Sequence, residues 1–194
     1  MAEYAELHCH SYFSLLDGAS APEDLVQAAV EKGLRALALT DHDSLGGVVR
    51  FATAARRASL HAVLGAEVTL ADGTHLTLLA ETQAGYANLC RLITAARMEA
   101  KVENAPSANL TAGLGEENEE NWAGKVAPAL RWEVLAAHRQ GLIALSGCRQ
   151  GAVAAALLRG AEEEGTFALR RLYDLFGPHQ LFVELQHHDL PTDD

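Results

Sequence analysis

Short apolar runs alternate along the chain with segments whose apolar residues recur at helical spacing. The short runs are typical of buried strands, and the helical spacing is typical of helices that pack one face on a sheet. Strands are predicted at residues 4–7, 35–40, 61–65, 68–70, 75–80, 141–146 and 181–185. Helices are predicted at residues 22–33, 45–58, 84–99, 132–138, 151–160 and 165–176.

The first two helices carry recognisable end signals. Pro22 suits the first turn of a helix, Gly33 suits its end, and Ser44 is placed to cap the second helix. Inward-facing apolar positions are expected in both helices, at Leu25, Val26, Ala29, Val30, Val48, Val49, Phe51, Ala52 and Ala55.

The order of the elements points to an α/β fold. Residues 71–74 (Ala-Asp-Gly-Thr) predict a turn that pairs the neighbouring segments as a hairpin. Elsewhere strand and helix alternate, which favours parallel pairing in a sheet or a barrel. The sequence contains neither a Gly-x-Gly-x-x-Gly fingerprint nor a Walker phosphate loop, so a nucleotide-binding doubly wound sheet has no motif support.

Composition is that of a globular protein of one domain. The chain has 194 residues, of which 49% are hydrophobic and 21% are charged. Its longest apolar run, residues 152–158, is too short to cross a bilayer, and acidic residues interrupt the N-terminal stretch where an export signal would lie. A cytoplasmic protein without membrane contact is therefore expected. The chain has three cysteines that are widely spaced, which argues against a disulfide framework.

The charge distribution has two consequences. A formal net charge of −11 repels phosphate backbones on average, so the chain alone should bind nucleic acid weakly or not at all. Residues 101–125 are polar, acidic and rich in glycine, which predicts a mobile surface insertion rather than a packed element.

Candidate metal ligands follow successive predicted strands. In parallel α/β folds, functional side chains gather beyond the carboxyl ends of the strands. Two histidines spaced by two residues point to the same side of a strand end, and imidazole, carboxylate and thiolate are ligands for zinc, manganese or iron. The residues in these positions are His8, His10, Asp41, His42, Asp43, Glu67 and Cys148.

Each of these signals also has an ordinary structural explanation. A His-x-His pair occurs without a metal, Thr-Asp-His-Asp is compatible with a helix cap, and Cys148 is compatible with a small buried side chain. Glu67 is compatible with a solvated carboxylate. Their common placement at consecutive strand ends is what favours a shared site, and several carboxylates beside several histidines favour more than one ion.

Five ordered motifs resemble those of the polymerase and histidinol phosphatase (PHP) domain. The first is His8-x-His10-Ser11 followed by Ser14-Leu-Leu-Asp17-Gly18, and the Leu-Leu-Asp-Gly form is typical of bacterial C-family DNA polymerases. The later motifs are Thr40-Asp-His-Asp43, Gly65-Ala-Glu67, residues 75–80 and Leu145-Ser-Gly-Cys148. The residues around His8 and Cys148 resemble the error-prone branch of that polymerase family.

The resemblance implies a fold and a ligand set. The fold is a distorted (β/α)7 TIM-like barrel that holds up to three divalent ions, usually zinc, manganese or iron, and hydrolyses phosphoesters where it is active. The ligands carried over by motif are His8, His10, Asp17, His42, Glu67, His75 and Cys148. Asp17 departs from the histidine that many stand-alone members carry at this position.

The same resemblance predicts an incomplete barrel. The family's final Asp-x-His motif should lie some tens of residues beyond Leu185, and the sequence stops at Asp194 before it. The domain at 1–194 is thus expected to be truncated at its C-terminus. His187, His188 and Asp189 follow a strand and are candidate substitutes, although a surface pair is the simpler interpretation.

Auxiliary roles are expected for three residues. Arg149, beside Cys148, has the forked geometry that binds two phosphate oxygens, but it also fits a solvated arginine at a helix start. Asp41 and Asp43 flank His42 and are candidates to orient its ring by accepting a hydrogen bond.

Three functions remain open on the sequence alone. The first is a metal-dependent phosphoesterase with nuclease or proofreading activity, in which a metal-activated water attacks phosphorus. The second is a non-catalytic module that keeps its ions for stability and contacts a polymerase body or another replication protein. The third is a Cys148 nucleophile with a histidine base, for which the chain has no local signature.

Overall fold

A computed structural model describes residues 4–103 and 128–186, with no side-chain description for residues 99–103. The strands are β1 (Ala5–Glu6), β2 (Ala36–Leu39), β3 (His61–Thr69), β4 (His75–Ala80), β5 (Leu142–Leu145) and β6 (Leu181–Phe182). The helices are α1 (Pro22–Glu31), α2 (Val48–Arg57), α3 (Gln83–Glu103), α4 (Trp132–His138), α5 (Ala152–Leu158) and α6 (Glu162–Phe176).

The six strands form one sheet in sequence order, curled into a half-barrel. β1, β2 and β3 are parallel, as are β5 and β6. β4 runs antiparallel to both of its neighbours. The expectation of parallel pairing is therefore met only in part, because the short turn between β3 and β4 can join only antiparallel strands.

The hairpin is confirmed, with one change in its first strand. Residues 61–65 and 68–70 were predicted as separate strands, but β3 is continuous from His61 to Thr69. Five residues of β3 pair with β4, from Gly65 opposite Leu79 to Thr69 opposite His75. Glu67 is therefore an interior residue of a strand and not the residue that follows one.

Helix α2 begins later than expected. The sequence predicted a start at residue 45 with Ser44 as cap, whereas α2 begins at Val48 after Gly47, without a side-chain cap. The Ser44 hydroxyl instead accepts a hydrogen bond from the Gly46 backbone. Phe51 and Ala55 are fully buried as expected, but Val49 is 74% exposed because it lies off the helix face that carries Val48, Phe51 and Ala55.

The remaining differences lie at element ends. Val30, expected to face inward on α1, is 46% exposed at the last turn of that helix. α3 continues to Glu103, four residues past its predicted end and into the first residues of the segment expected to be an insertion. The rest of that segment and residues His187, His188 and Asp189 lie outside the described residues.

The side chains of the sheet alternate between two environments, as the pleat of a strand requires. Ala66 and Val68 of β3, with Leu76 and Leu78 of β4, pack in the main core, to which α3, α4 and α6 contribute. The alternate residues face the concave side, where Leu79 and Leu145 pack against Ala38. No helix in the described part of the chain is long and apolar enough to cross a bilayer.

Helix α3 lies very close to Gly141, the residue that immediately precedes β5. Gly85 of α3 therefore has no room for a side chain. A Cβ atom on Gly85 would lie 1.8 Å from the Gly141 carbonyl oxygen, which is backbone and cannot turn away. The start of α3 and the entry to β5 are therefore held together by a contact that only glycine allows.

Replacing Gly85 with alanine should lower the free energy of unfolding by about 2 kcal/mol or more, because α3 must shift away from Gly141. Urea denaturation measures the change. Gly165→Ala in α6 is the matched control, since the atoms nearest its Cβ belong to the side chains of Leu157 and Ala156, beginning with Leu157 Cδ2 at 3.2 Å. The control should stay within about 1 kcal/mol of the parent chain; equal losses in both variants would contradict the close-approach explanation.

Candidate metal centre

Chemically reactive side chains collect at one end of the curled sheet. This end is formed by the carboxyl ends of β1, β2, β3, β5 and β6 and by the amino end of β4, which runs the other way. All seven residues that the family motifs carry over as ligands lie there, namely His8, His10, Asp17, His42, Glu67, His75 and Cys148. Five of them contact the sixth, Glu67, and Asp17 contacts His42.

Glu67 is the centre of this cluster and is fully buried. Its Oε2 atom lies within 3.4 Å of three imidazole nitrogens: 3.2 Å from His8 Nε2, 3.1 Å from His10 Nε2 and 3.4 Å from His42 Nε2. Its Oε1 atom lies 3.2 Å from His75 Nδ1 and 3.1 Å from Cys148 Sγ. One carboxylate therefore links five side chains from four other segments of the chain.

Strand geometry explains why these side chains meet. His75 and Thr77 lie on the same face of β4, and Thr77 is directly opposite Glu67 in the β3–β4 ladder. His75 is then the diagonal neighbour of Glu67, within reach of a side-chain contact. His42 joins from the other side through a bridge to Glu67, whose backbone carbonyl accepts a hydrogen bond from Asp43 N at 2.8 Å.

Asp17 reaches the cluster from the loop that follows His10. Its Oδ2 atom lies 3.3 Å from His42 Nε2, and its side chain is 59% exposed, so it stands at the mouth of the site. The loop is compact: a Cβ atom on Gly18 would lie 2.0 Å from the Ser11 carbonyl oxygen, and Leu16 adopts a left-handed φ of 75°. The backbone conformation of this loop, and not a strand, therefore sets the position of Asp17.

Asp41 shapes that loop through the hydrogen bonds that its carboxylate accepts. Its carboxylate accepts hydrogen bonds from Ser11 N at 2.7 Å, from Ser11 Oγ at 2.8 Å and from Ser14 Oγ at 2.7 Å. Ser14 Oγ in turn accepts the backbone N–H of His42 at 3.0 Å. These donors occupy the carboxylate, so Asp41 acts on the loop bearing Asp17.

Asp43 has a different partner as well. Its carboxylate accepts hydrogen bonds from Thr69 N at 2.9 Å and from Thr69 Oγ1 at 2.7 Å, so it fastens the residues after β2 to the end of β3. Its backbone carbonyl accepts two hydrogen bonds from the Arg97 guanidinium. Among the described contacts, neither Asp43 nor Asp41 accepts a hydrogen bond from the His42 ring, and their expected role in orienting it stays a prediction.

Arg149 lies beside Cys148 at the edge of the site. Its side chain is exposed, and it forms no ion pair with any residue between 4 and 103 or between 128 and 186. The neighbouring Gln150 N donates a hydrogen bond to Cys148 Sγ at 3.4 Å. The position of Arg149 is compatible with a phosphate contact and leaves its role as a prediction.

Sequence reasoning missed one member of the cluster, Glu184. It lies two residues past β6, and its Oε1 atom is 2.6 Å from His8 Nδ1. The side chain is only 10% exposed, and its Oε2 atom is buried without a hydrogen-bond partner in the part of the chain that the structure describes. The available signal was an isolated acidic residue inside an apolar predicted strand at residues 181–185.

The electrostatics of the cluster reflect its shared carboxylate. Burial disfavours charge on His8, but hydrogen bonds with Glu184 and Glu67 outweigh burial and raise the pKa of His8 to about 10. Contacts with Cys148 and Glu67 likewise raise the pKa of His75 to about 10. The histidines in turn overcome the burial of Glu67 and lower its pKa strongly. In the absence of an ion, protonated imidazoles supply the positive charge that Glu67 needs.

His42 behaves differently. Burial is the main reason that its pKa is lowered, and its histidine neighbours His10 and His75 add to the shift despite the opposing effect of Glu67. Its ring therefore remains neutral near pH 7 and keeps a free electron pair for an ion.

The residues present fit divalent metal ions. Two groups have ligand atoms within 4.8 Å of one another, His8–His10–Glu67 and His42–Glu67–His75, and they share the Glu67 carboxylate. The Nε2 atom of His10 is buried and has no properly angled hydrogen bond, which is costly for a polar atom unless something else binds it. Imidazole nitrogens around a shared carboxylate are a common arrangement for neighbouring divalent ions.

A cavity of about 790 Å³ leads to this cluster from the concave side of the sheet. Its apolar lining includes Val63, Leu79 and Ile143, and His8 and Glu184 of the cluster also line it. The ligand cluster therefore lies beside a cavity of a size that accommodates a small molecule or a chain segment.

Comparison with known proteins identifies relatives of the whole chain. Error-prone DNA polymerases from Symbiobacterium thermophilum and Cutibacterium acnes are 43% and 42% identical to it, over 97% and 98% of its length. The corresponding polymerase of Mycobacterium tuberculosis is 40% identical over 98%. The chain spans only about a sixth of the length of these relatives, 17%, 16% and 16% respectively.

Solved structures agree at the level of the fold. A protein from Bifidobacterium adolescentis assigned as a metal-dependent phosphoesterase aligns with a TM-score of 0.50 at 18% identity, covering 95% of this chain and 87% of its own. An amidohydrolase from Chromobacterium violaceum, determined with bound sulfate and no metal, aligns with a TM-score of 0.51 at 19% identity, covering 92% and 84%. The model of the PHP domain family matches residues 6–188, so the family expected from the motifs is confirmed and the chain belongs to the PHP domain family.

Proposed function

We propose that this chain is a metal-dependent phosphoesterase module of the kind that opens error-prone DNA polymerases. The observation that carries the proposal is the convergence of five ligand-type side chains on the two oxygens of buried Glu67, all within 3.4 Å. The polymerase relatives, which match nearly the whole chain, support its place at a polymerase.

The ions would be held by the residues of the cluster. His8, His10 and Glu67 supply one group of ligands, and His42 and His75 supply a second group with the same Glu67. Asp17, which contacts His42, and Cys148, which contacts Glu67, are further proposed ligands. We propose up to three divalent ions, with zinc, manganese and iron as the candidates, because mixed nitrogen, oxygen and sulfur ligands suit all three.

In the proposed mechanism the protein's side chains position the reacting groups, and the bound ions would activate water. Bound divalent ions supply Lewis-acid chemistry: they lower the pKa of water toward neutrality and offset the charge of phosphoryl oxygens. The fixed imidazoles of His8, His10 and His42 hold the reacting centre in one geometry. Arg149 binds two phosphate oxygens of the incoming ester with its guanidinium, since it is exposed and adjacent to Cys148.

We propose that residues 1–194 belong to one domain with a distorted (β/α)7 barrel fold. β1 and β6 are the two ends of the strand order, and each has one paired neighbour among the described strands. The cavity lies between these edges and exposes apolar residues such as Leu7, Val183 and Leu185. A seventh strand placed there would pair both edges and cover the apolar surface.

The proposed partner is a polymerase body, with a phosphoester as substrate and weak or absent nucleic-acid binding by the chain alone. The net charge of −11 supports a protein partner over free DNA, because it repels phosphate backbones. A cytoplasmic location follows from the same assignment, since the relatives are DNA polymerases.

A second candidate function is a metal-stabilised module without turnover. The observation that favours it is that the contacts of Glu67 and His8 join the ends of β1, β3, β4, β5 and β6. Ions at this position would hold the half-barrel together and stabilise it by mass action even without a reaction.

Removal of single ligands separates the two functions. His8→Ala and Asp17→Ala should each lower manganese- or zinc-dependent hydrolysis of p-nitrophenyl phosphate by about 100-fold or more, because the lost ligand displaces an ion from the reacting centre. Elemental analysis of the purified chain measures bound metal in parallel. His61→Ala is the matched control, as His61 is exposed at the opposite end of β3, and it should retain full activity.

The outcomes are distinct. Bound metal without turnover, with His8→Ala and Asp17→Ala changing only the melting temperature, would select the structural module. A chain that binds no divalent ion would contradict both functions.

The stability of the metal-free chain should fall as pH rises from about 6.5 to 10. His8 and His75 have pKa values of about 10 in the folded chain, above the ordinary value of 6.5, so their stabilising contribution is full below 6.5 and is lost as pH approaches 10. Thermal unfolding in chelator across this range measures the loss. His8→Gln should flatten the dependence, and a parent chain whose stability does not change over the range would contradict the charge pairing around Glu67.

A further inference from the structure

We propose that Glu184 is a positioning residue that fixes the ring of His8 for metal binding. Its carboxylate accepts the Nδ1–H of His8 and so leaves Nε2 as the ligand atom. The inference rests on the proposed function, because it assigns a role within the same metal centre. Glu184 is not among the seven residues that the family motifs carry over as ligands, so the assignment depends on its contacts.

The two nitrogens of His8 face opposite carboxylates. Nδ1 lies 2.6 Å from Glu184 Oε1, and Nε2 lies 3.2 Å from Glu67 Oε2. A neutral imidazole carries its proton on one nitrogen only, and the partner of that nitrogen decides which tautomer forms. When His8 binds an ion as the neutral imidazole, Glu184 as acceptor at Nδ1 leaves the electron pair of Nε2 for an ion held beside Glu67.

Other neighbours of Nδ1 are poorer acceptors. Thr77 Oγ1 lies 3.4 Å away, at the limit of a hydrogen bond. Gln186 Nε2 lies 3.2 Å away, but an amide nitrogen only donates, and it donates to Glu184 Oε1 at 2.7 Å. Glu184 is thus the best acceptor for this proton among the described residues, and Gln186 supports its orientation.

The backbone holds Glu184 in place through the β5–β6 pairing. Buried Ser146 donates its N–H to the Phe182 carbonyl at 2.9 Å, and its hydroxyl accepts the N–H of Glu184 at 2.9 Å. The carboxylate is therefore carried to His8 by the strand end, in the same way that the other ligands are carried by theirs. A surface residue that met His8 by chance would not have this support.

The burial of Glu184 argues against a role in stability alone. The side chain is 10% exposed, and its Oε2 atom has no hydrogen-bond partner among residues 4–98 and 128–186. A buried carboxylate oxygen without a partner lowers stability, and such groups are retained where they serve a site. Glu184 acts on the ion through His8, since its oxygen contacts the nitrogen that points away from Glu67.

The test compares zinc binding by the 194-residue chain and its Glu184→Ala and Glu184→Gln variants. Competition with a chromophoric chelator measures the dissociation constant. Glu184→Ala should raise it about 10- to 100-fold, the usual effect of losing a carboxylate behind a histidine ligand. Glu184→Gln retains an uncharged acceptor and should show a smaller rise. Glu81→Ala is the charge-matched control: Glu81 lines the same cavity, contacts Gln180, and should leave the constant unchanged.

A second measurement separates positioning from a structural effect. In the zinc-loaded chain labelled with ¹⁵N-histidine, His8 should show a protonated, slowly exchanging Nδ1 and a zinc-bound Nε2. Glu184→Ala should lose the slow exchange of that proton, and Glu184→Gln should restore it in part. A general loosening of the fold would change the spectra of the other histidines equally and would not be rescued by glutamine.

The outcomes distinguish failure of the positioning role from failure of the proposed function. If the parent chain binds zinc and Glu184→Ala binds it equally well with an unchanged Nδ1 proton, the positioning role is overturned while the proposed function stands. If the parent chain binds no zinc, manganese or iron, the proposed function fails and the inference with it. If Glu184→Ala does not fold, Glu184→Gln decides by the same two measurements.

Discussion

The structure depends on the burial of one carboxylate, Glu67, in the interior of the sheet. A charged oxygen pair without solvent is expensive unless every lone pair meets a donor or a cation. The chain meets this requirement with imidazoles and a thiol from separate segments, three on one oxygen and two on the other. The convergence of the strand ends at the candidate metal centre is what supplies these partners to Glu67.

Much of this arrangement could be predicted because it follows from periodicity. His8 and His10 are two residues apart after a strand, and the turn at residues 71–74 brings β4 back along β3. Alternation along the pleat then sends Glu67 and His75 to one face while Val68 and Leu76 enter the core. The family motifs supplied the remaining ligands, Asp17 among them, whose position depends on a loop and not on any periodic pattern.

The parts that were not predicted depend on contacts between distant segments. Asp41 lies next to His42 in sequence, which made a contact between them the natural expectation, but Ser11 and Ser14 fold back and occupy its carboxylate. Glu184 is separated from His8 by 176 positions, and the curl of the sheet brings the ends of β1 and β6 together so that the two side chains lie 2.6 Å apart. Neither adjacency nor spacing along the chain carries this information.

The concave face of the half-barrel combines apolar and chemically reactive side chains. Leu79 and Leu145 pack against Ala38 there, and His8 and Glu184 line the cavity on the same face. The same strands thus serve the core with one face and the metal centre with the other. A change in strand register by one residue would exchange the two faces and remove both the core and the site.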